Sequence, residues 1–244
     1  MKNFTLFDVE NILNQYKQDD EVTMIKNFCR DLDEKYIKYR NKTIKITAKS
    51  IHRKPIIVIN PKLTKSGRLE LGDLLFILKD RTFSNKFRRA VIFQVKKSHK
   101  DFLLIPSHQW EFYKNIELFE ISFRNFNGKI SPTSLYFLSF LVCYLHVNLV
   151  ISNKKSRIKV GIMNLRDNIR VIPIIQTLSS LRFYEFILNF INGKIGENLS
   201  RRRNINLLIK ELLRFVNIYP DPPEEYEKFY EDGEFGVVIF EIIE

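Results

Sequence analysis

Two apolar segments joined by a short basic link constrain the fold more than any other feature of this sequence. Leu71 to Leu78 and Ala90 to Val95 are rich in aliphatic and aromatic residues, as strands are. The link from Asp80 to Arg89 is polar and contains several bases. The two segments are therefore predicted to form an antiparallel pair within a sheet.

The residues before this pair predict helices followed by a strand. Residues 5–16 form a short helical pattern, and Asp20 is placed to cap a second helix, which we expect to run from Glu21 to Arg40. After Arg40 the period changes, because residues 44, 46 and 48 are apolar and alternate with polar ones. That alternation is typical of a half-buried strand.

Further elements follow without any linker rich in Gly, Pro or Ser. Helices are expected near residues 182–191 and 204–215, and an aromatic loop over residues 107–113. Strands are expected near residues 55–59, 117–123, 158–162 and 236–240. The chain of 244 residues is therefore predicted to be one α/β domain, residues 1–244.

Residues 135–152 form an 18-residue stretch without a formal charge. A membrane span needs about 20 predominantly apolar residues, and this stretch is shorter and contains Ser139, His146 and Asn148. Buried strands, or a buried helix running into a strand, fit it better, and no membrane association is expected. Two cysteines and no apolar signal segment at the N-terminus indicate the reducing cytoplasm.

The charge of the chain is strongly basic and unevenly distributed. Forty Lys and Arg residues against 28 Asp and Glu give a formal net charge of +12. Residues 221–244 contain nine acidic residues and one lysine, so the remainder is more basic than the average. Residues 40–54 hold six bases and no acid, and residues 79–100 hold eight bases and one acid. Such a balance predicts a polyanionic partner, nucleic acid before a membrane surface.

One carboxylate, one amide and one lysine occur together on the predicted strand pair. Asp73 enters the first strand, and Gln94 and Lys96 lie two residues apart on the second, so they share a face. Hydrolysis of a phosphodiester uses such groups, with oxygen ligands for a divalent cation and a lysine beside the attacked phosphate. The alternatives are a turn-capping role for Asp73 and a plain surface position for Lys96.

Gly72-Asp73, a gap of about twenty residues and then Gln94-Val95-Lys96 on a paired strand resemble the PD-(D/E)XK nuclease superfamily. The resemblance covers residues 19–125. It implies a restriction-endonuclease-like mixed β-sheet flanked by helices, with residues 126–244 as a C-terminal α/β elaboration. Gly72 stands where the family's name-giving proline would be, and Gln94 replaces an acidic residue.

The resemblance also implies the roles of single residues. Asp73, Gln94, the backbone carbonyl of Val95 and Glu21 would hold Mg²⁺ or Mn²⁺, and Lys96 would be the catalytic lysine, with Asp73, Gln94 and Glu21 as its partners. For Glu21 the alternative is a favourable carboxylate in the first turn of a helix. Contacts to nucleic acid are expected from bases near this site and in a later cluster: Lys54, Arg88, Arg89, Lys97, Lys100, Arg201, Arg202 and Arg203.

These features together predict a metal-dependent nuclease, with DNA preferred to RNA and a role in restriction or phage defence. Double-strand cutting by this fold often uses two active sites, which would imply a homodimer. The first alternative is a nucleic-acid-binding protein of the same fold without catalysis, and the second is an interaction module of a defence complex. The acidic residues 221–244 would be a solvated end, a surface for a protein partner, or a segment that covers the protein's own basic groove.

Overall fold

The structure is a computed structural model. It describes residues 4–52, 56–60, 68–81, 86–98, 108–109, 111, 120–124, 130–133, 142–148, 158–162, 180–199, 209, 212–213 and 233–243. Within these residues the chain is mixed α/β, as the sequence predicts.

Three helices are described in full, and all three begin within one residue of where the sequence predicts. Helix α1 spans Leu6–Gln15, α2 begins at Glu21 and ends at Leu32, and α3 spans Phe183–Ile191. The side chain of Asp20 accepts a hydrogen bond from the backbone N–H of Thr23 at 2.8 Å, so Asp20 is the N-cap of α2.

The predicted end of α2 at Arg40 is wrong. The chain leaves the helix after Leu32 and forms strand β1, Lys35–Tyr39, which pairs with strand β2, Lys42–Ile51. In β1 only Ile37 is buried, with exposed residues on both sides of it, which is the period of a strand. Arg40, expected as the last helical residue, instead has a left-handed φ of 56° in the turn between β1 and β2.

The described strands form two sheets. Their order along the chain continues with β3 Ile56–Asn60, β4 Arg68–Glu70, β5 Leu74–Asp80, β6 Lys86–Ser98, β7 Glu120–Arg124, β8 Ile130–Thr133, β9 Val142–Asn148, β10 Ile158–Ile162, β11 Ser180–Arg182, β12 Glu197–Asn198 and β13 Phe235–Ile242. Within the described chain, the larger sheet has nine strands in the order β1-β2-β13-β5-β6-β9-β10-β11, with β12 also paired to β6. The smaller sheet has the order β4-β3-β7-β8.

The predicted hairpin of two apolar strands is confirmed as β5 and β6. They pair antiparallel, with Leu74 opposite Phe93 and Leu78 opposite Arg89. Strand β6 is longer than expected and extends past the start of β5. Its second half also pairs in parallel with β9, on the edge opposite to β5. The larger sheet is therefore mixed, because β13 and β5 are also parallel.

The last strand, β13, lies between β2 and β5 in the larger sheet. This segment is predicted to be part of a C-terminal elaboration with an acidic tail, but a strand that joins β2 to the hairpin belongs to the central sheet. Glu234 and Glu241 are only 3% and 6% exposed, so the expectation of a solvated end does not hold for them. Glu241 is paired with Lys79 at 2.7 Å and Arg81 at 2.8 Å, which explains how it tolerates burial.

The helices pack on one face of the larger sheet and form an aromatic core there. Phe76 of β5 lies at its centre, with ring centroids 4.9 Å from Phe93 and 5.3 Å from Phe240. The alternate residues of β5, Leu75 and Ile77, are also fully buried, although they lie on the opposite face. Both faces of the hairpin are therefore covered, which explains its nearly continuous apolar sequence.

Within the uncharged stretch of residues 135–152, residues 142–148 form strand β9, in agreement with the expectation of a strand there. None of the described helices is long and apolar enough to cross a bilayer. His108, Gln109 and Glu111 are helical, although the sequence predicts an aromatic loop there. In the segment expected as a helix over residues 204–215, Ile209 and Leu212 are helical and buried, and most of the segment lies outside the described residues.

Candidate functional site

The side chain of Asp73 lies at the junction between β5 and the second half of β6. Its backbone N–H donates to the carbonyl of Phe93 at 2.8 Å, and its Oδ2 accepts a hydrogen bond from the N–H of Val95 at 2.7 Å. Asp73 directly precedes Leu74, which is opposite Phe93, so Asp73 is level with Gln94 on the neighbouring strand. Both Asp73 and Gln94 are completely buried.

The two faces of β6 separate the candidate residues from the helical core. Val91, Phe93 and Val95 belong to the core beneath the helices, so Gln94 and Lys96 lie on the opposite face. Asp73 alternates with the β5 residues that belong to the helical core, so it lies on the same face of the sheet as Gln94 and Lys96. The structure therefore brings Asp73, Gln94 and Lys96 to one end of the hairpin and one face of the sheet, and Lys96 is partly exposed there.

Gly72 lies where the backbone passes very close to β6. A Cβ atom at this position would collide with Cγ2 of Ile92 and would lie 3.1 Å from the carbonyl oxygen of Phe93. The backbone of residue 72 thus passes directly over β6, where only glycine fits. This close approach brings Asp73 within hydrogen-bonding distance of Val95.

Glu21, the helical carboxylate implied by the resemblance, approaches the sheet from the helical side. It is the first residue of α2. Burial lowers the pKa of Lys97, and the nearby negative charges of Glu21, Asp19 and Asp20 oppose this shift only in part. Lys97 has the parity of Val95, so this group is on the face opposite to Gln94 and Lys96. Glu21 thus lies on the face of the sheet that carries Lys97, whereas Asp73 and Gln94 lie level with each other on the opposite face.

The predicted nucleic-acid contacts that are described all have partners within the chain. Arg88 is paired with Asp80 at 2.7 Å, Arg89 donates to the carbonyl of Gly196 at 2.6 Å, and Nζ of Lys97 donates to the carbonyl of Lys17 at 3.0 Å. The first bond joins the two strands of the hairpin, and the other two hold β6 to its surroundings. The other expected contacts lie outside the described residues: Lys54, Lys100, Arg201, Arg202 and Arg203.

The strand register places a row of basic residues beside Lys96 that sequence reasoning did not find. Lys96 is opposite His146 of β9, His146 is opposite Lys159 of β10, and Lys159 is opposite Arg182 of β11. Directly opposed residues occupy one face of a sheet, so these four positions form a line across four strands. They are far apart in sequence, and only the order and register of the strands bring them together.

Glu234 is a buried carboxylate that the sequence analysis counts only as part of the acidic tail. Its Oε2 lies 3.5 Å from Nδ1 of His52, which is largely exposed. Two residues later, the N–H of Gly236 donates to the carbonyl oxygen of Asp73 at 3.0 Å, so the start of β13 adjoins the candidate site. The sequence feature that indicates burial of Glu234 is its position immediately before the apolar run of residues 235–240.

The groups near Asp73 suit a hard cation in chemistry, although they include few carboxylates. Among the described residues, no group of three or more His, Cys, Asp or Glu side chains could hold a metal ion. The residues at the hairpin instead offer the carboxylate of Asp73, the amide oxygen of Gln94 and the carbonyl of Val95. That carbonyl points to the same side of β6 as the N–H bonded to Asp73. Oxygen donors of these three kinds are those that bind Mg²⁺ and Mn²⁺.

Comparison with known proteins identifies no relative of this chain. No family model, no curated protein and no solved structure matches it. Its function therefore has to be inferred from the geometry and charge of its own residues.

Proposed function

We propose that the chain is a metal-dependent nuclease of the restriction-endonuclease-like fold that hydrolyses phosphodiester bonds of DNA. The observation that carries this proposal is the position of Asp73 beside Gln94, with Lys96 on the same face of the same hairpin. A cytoplasmic role in restriction or phage defence, as a homodimer, belongs to the same proposal.

Each residue of this group has a distinct task in the proposed reaction. Asp73, Gln94 and the carbonyl of Val95 hold Mg²⁺ or Mn²⁺, which polarises a phosphoryl oxygen and activates water when bound. Lys96 orients the attacking water and offsets the negative charge that develops on the phosphate. Glu21 is not part of this group, because α2 packs on the face of the sheet opposite to Gln94 and Lys96.

The charge distribution supports nucleic acid as the substrate. The row of Lys96, His146, Lys159 and Arg182 extends from the candidate site across the sheet. Contacts of Lys and Arg with phosphates hold a nucleic-acid strand without reading its sequence, and a line of basic positions suits such contacts. A net charge of +12 further favours the approach of a polyanion.

A second function, nucleic-acid binding without catalysis, is favoured by the burial of the same two residues. Asp73 and Gln94 are both 0% exposed, and one oxygen of Asp73 is used by the N–H of Val95. A carboxylate that closes the end of a strand pair in this way stabilises the fold, and glutamine beside it removes one negative charge from a metal site. The basic surface would remain in such a protein.

Cleavage assays separate the two functions. Supercoiled plasmid, single-stranded DNA and RNA are incubated with the full chain in Mg²⁺, in Mn²⁺ and in EDTA. We expect cleavage of DNA with either metal and none in EDTA. Lys96→Ala should reduce the rate by about a hundredfold or more, the usual range for a lost proton-transfer or charge-stabilising group. Lys26→Ala is the matched control, because Lys26 is an exposed lysine on the outer side of α2.

The results that would overturn the proposal are equally definite. Cleavage that survives both Lys96→Ala and Asp73→Asn contradicts the assigned site. Salt-sensitive DNA binding without cleavage in any metal establishes the second function instead. In that case Gln94→Glu is informative, since cleavage that appears on restoring the carboxylate would identify the metal site.

A further inference from the structure

A pocket of about 410 Å³ lies at the other end of the β5–β6 hairpin from Asp73. It is formed where the turn between β1 and β2, the first half of β6 and the end of α3 meet. Leu78 lines it and is five residues from Asp73, which corresponds to about 17 Å along an extended strand. The pocket is therefore separate from the candidate nuclease site.

Four cationic residues line this pocket: Arg40, Lys42, Arg88 and Arg89. No carboxylate is among the described residues of its lining. One carboxylate lies beside it, since Asp80 is paired with Arg88 at 2.7 Å. Arg89 donates to a carbonyl, that of Gly196, and so keeps its charge. The net charge at the pocket is therefore about +3, and a bound anion would reduce the repulsion among the cations.

Two of the four cations, Arg40 and Lys42, lie at the β1–β2 turn. Arg40 and Lys42 are exposed, and the guanidinium of Arg40 lies 5.3 Å from the centre of the Tyr39 ring. A guanidinium stacked on an aromatic ring keeps its N–H donors directed outward, where they can bind two oxygens of one phosphate. The turn thus places two exposed cations opposite the wall formed by β6 and α3.

That wall combines hydrogen-bonding and apolar groups. The Nδ2 of Asn192 donates to the Tyr39 hydroxyl at 3.2 Å and to the carbonyl of Leu188 at 2.8 Å, so its orientation is fixed. Leu78 and Ile191, which are 2% and 5% exposed, form the apolar part of the lining, and Asn198 supplies another amide. A simple inorganic anion would use only the cations. A pocket of a few hundred Å³ with both kinds of lining has the size and composition of a site for a small organic ligand.

We propose that this pocket binds a nucleoside phosphate, with the phosphate on Arg40, Lys42 and Arg89 and the nucleoside against Tyr39, Leu78 and Ile191. The ligand is either a free nucleotide or one nucleotide of a nucleic-acid strand, since both present the same chemistry. This proposal does not depend on nuclease activity. If the ligand is part of a strand, the pocket holds it about 17 Å from Asp73.

The test measures ligand binding by calorimetry in EDTA, so that no cleavage takes place. The ligands are ATP, adenosine, inorganic pyrophosphate and a single-stranded tetranucleotide. The test variant is Arg40→Asn with Lys42→Ala; asparagine is used because Arg40 has a left-handed φ of 56° that asparagine tolerates. Lys38→Ala, an exposed lysine of the same hairpin, is the matched control. Thermal melts establish that each variant is folded.

We expect ATP or the tetranucleotide to bind and adenosine not to bind. The double variant should weaken that binding at least about tenfold, as expected for losing charge-assisted hydrogen bonds, while Lys38→Ala leaves it unchanged. Tighter binding of ATP than of the tetranucleotide identifies a free nucleotide, and the reverse identifies a strand. Binding of neither, equal binding of pyrophosphate and ATP, or an unchanged affinity in a folded double variant overturns the proposal. Asp73→Asn should not alter the affinity, so failure here is distinct from failure of the nuclease assay.

Discussion

At the scale of single residues, Asp73 shows how much of the site could be predicted from the sequence. A Gly-Asp pair entering an apolar strand is a local signal, and it correctly indicated a carboxylate at the start of β5. Its hydrogen bond to the N–H of Val95 could not be predicted, because it depends on the register of two strands and on the close approach at Gly72. The sequence thus predicted the position of Asp73 in the fold but not the group that donates a hydrogen bond to it.

The bond between Asp73 and Val95 leads to a prediction about stability. Asp73→Ala removes the acceptor and leaves a buried N–H unpaired, so we expect a loss of about 1–3 kcal/mol in the free energy of unfolding. Asp73→Asn keeps an oxygen at the same position and should cost less. Urea denaturation of both variants measures the difference. Equal losses in the two variants would mean that the charge, and not the acceptor, stabilises this site.

At the scale of elements, the contact between α2 and β13 depends on one glycine. A Cβ atom on Gly236 would lie 2.7 Å from Sγ of Cys29, 2.8 Å from Cδ1 of Leu74 and 2.9 Å from Cγ2 of Ile25. Real Cβ atoms hardly ever approach other atoms so closely. The absence of a side chain therefore sets how near α2 can lie to the sheet.

This contact predicts a double-mutant result. Gly236→Ala should destabilise the protein by about 1–3 kcal/mol, because the added methyl group overpacks the core. Cys29→Ala removes the nearest of the three atoms. The double variant should therefore lose less free energy of unfolding than the sum of the losses in the two single variants. Denaturant melts of the four proteins give the coupling. Strict additivity would show that Cys29 is not what limits the space at Gly236.

The end of α2 shows why element boundaries could not all be predicted. Tyr36 and Tyr39 continue the helical spacing of the preceding residues, and they also fit the alternation of a strand around Ile37. Local pattern alone does not separate these interpretations. The pairing with β2 decides in favour of the strand, because it satisfies the backbone of residues 35–39 through contacts with residues 42–46.

At the scale of the whole molecule, strand pairing between distant segments was harder to predict than the pairing of β5 with β6. The hairpin of β5 and β6 joins neighbouring segments, so its pattern is visible in sequence. The insertion of β13 between β2 and β5 joins residues more than 150 positions apart. An acidic segment with an apolar centre therefore resembled a tail, although its strand connects the two halves of the sheet.

Acidic groups in that sheet and at the helix caps determine how the molecule responds to acid. Burial opposes the ionisation of Glu241, but hydrogen bonds from Lys79 and Arg81 outweigh it and hold the pKa of Glu241 below its ordinary value of 4.5. The side chain of Thr23, followed by its backbone N–H, likewise holds the pKa of Asp20 below 3.8. A carboxyl group with a lowered pKa in the folded state stabilises the protein above its unfolded pKa, and this stabilisation is lost as the pH falls through the folded value.

The last prediction follows from this sign. Above about pH 5 these carboxyl groups should make the free energy of unfolding change little with pH. Below 4.5 the free energy of unfolding should fall as the pH decreases. Glu241→Gln should cost about 1 kcal/mol at pH 7, since its partner Arg81 is half exposed and the pair is partly screened. The cost should disappear at the lowest pH, where the carboxyl group of the wild type is also neutral. Urea denaturation at a series of pH values measures both curves, and a difference that stays constant with pH would show that Glu241 acts through packing and not through its charge.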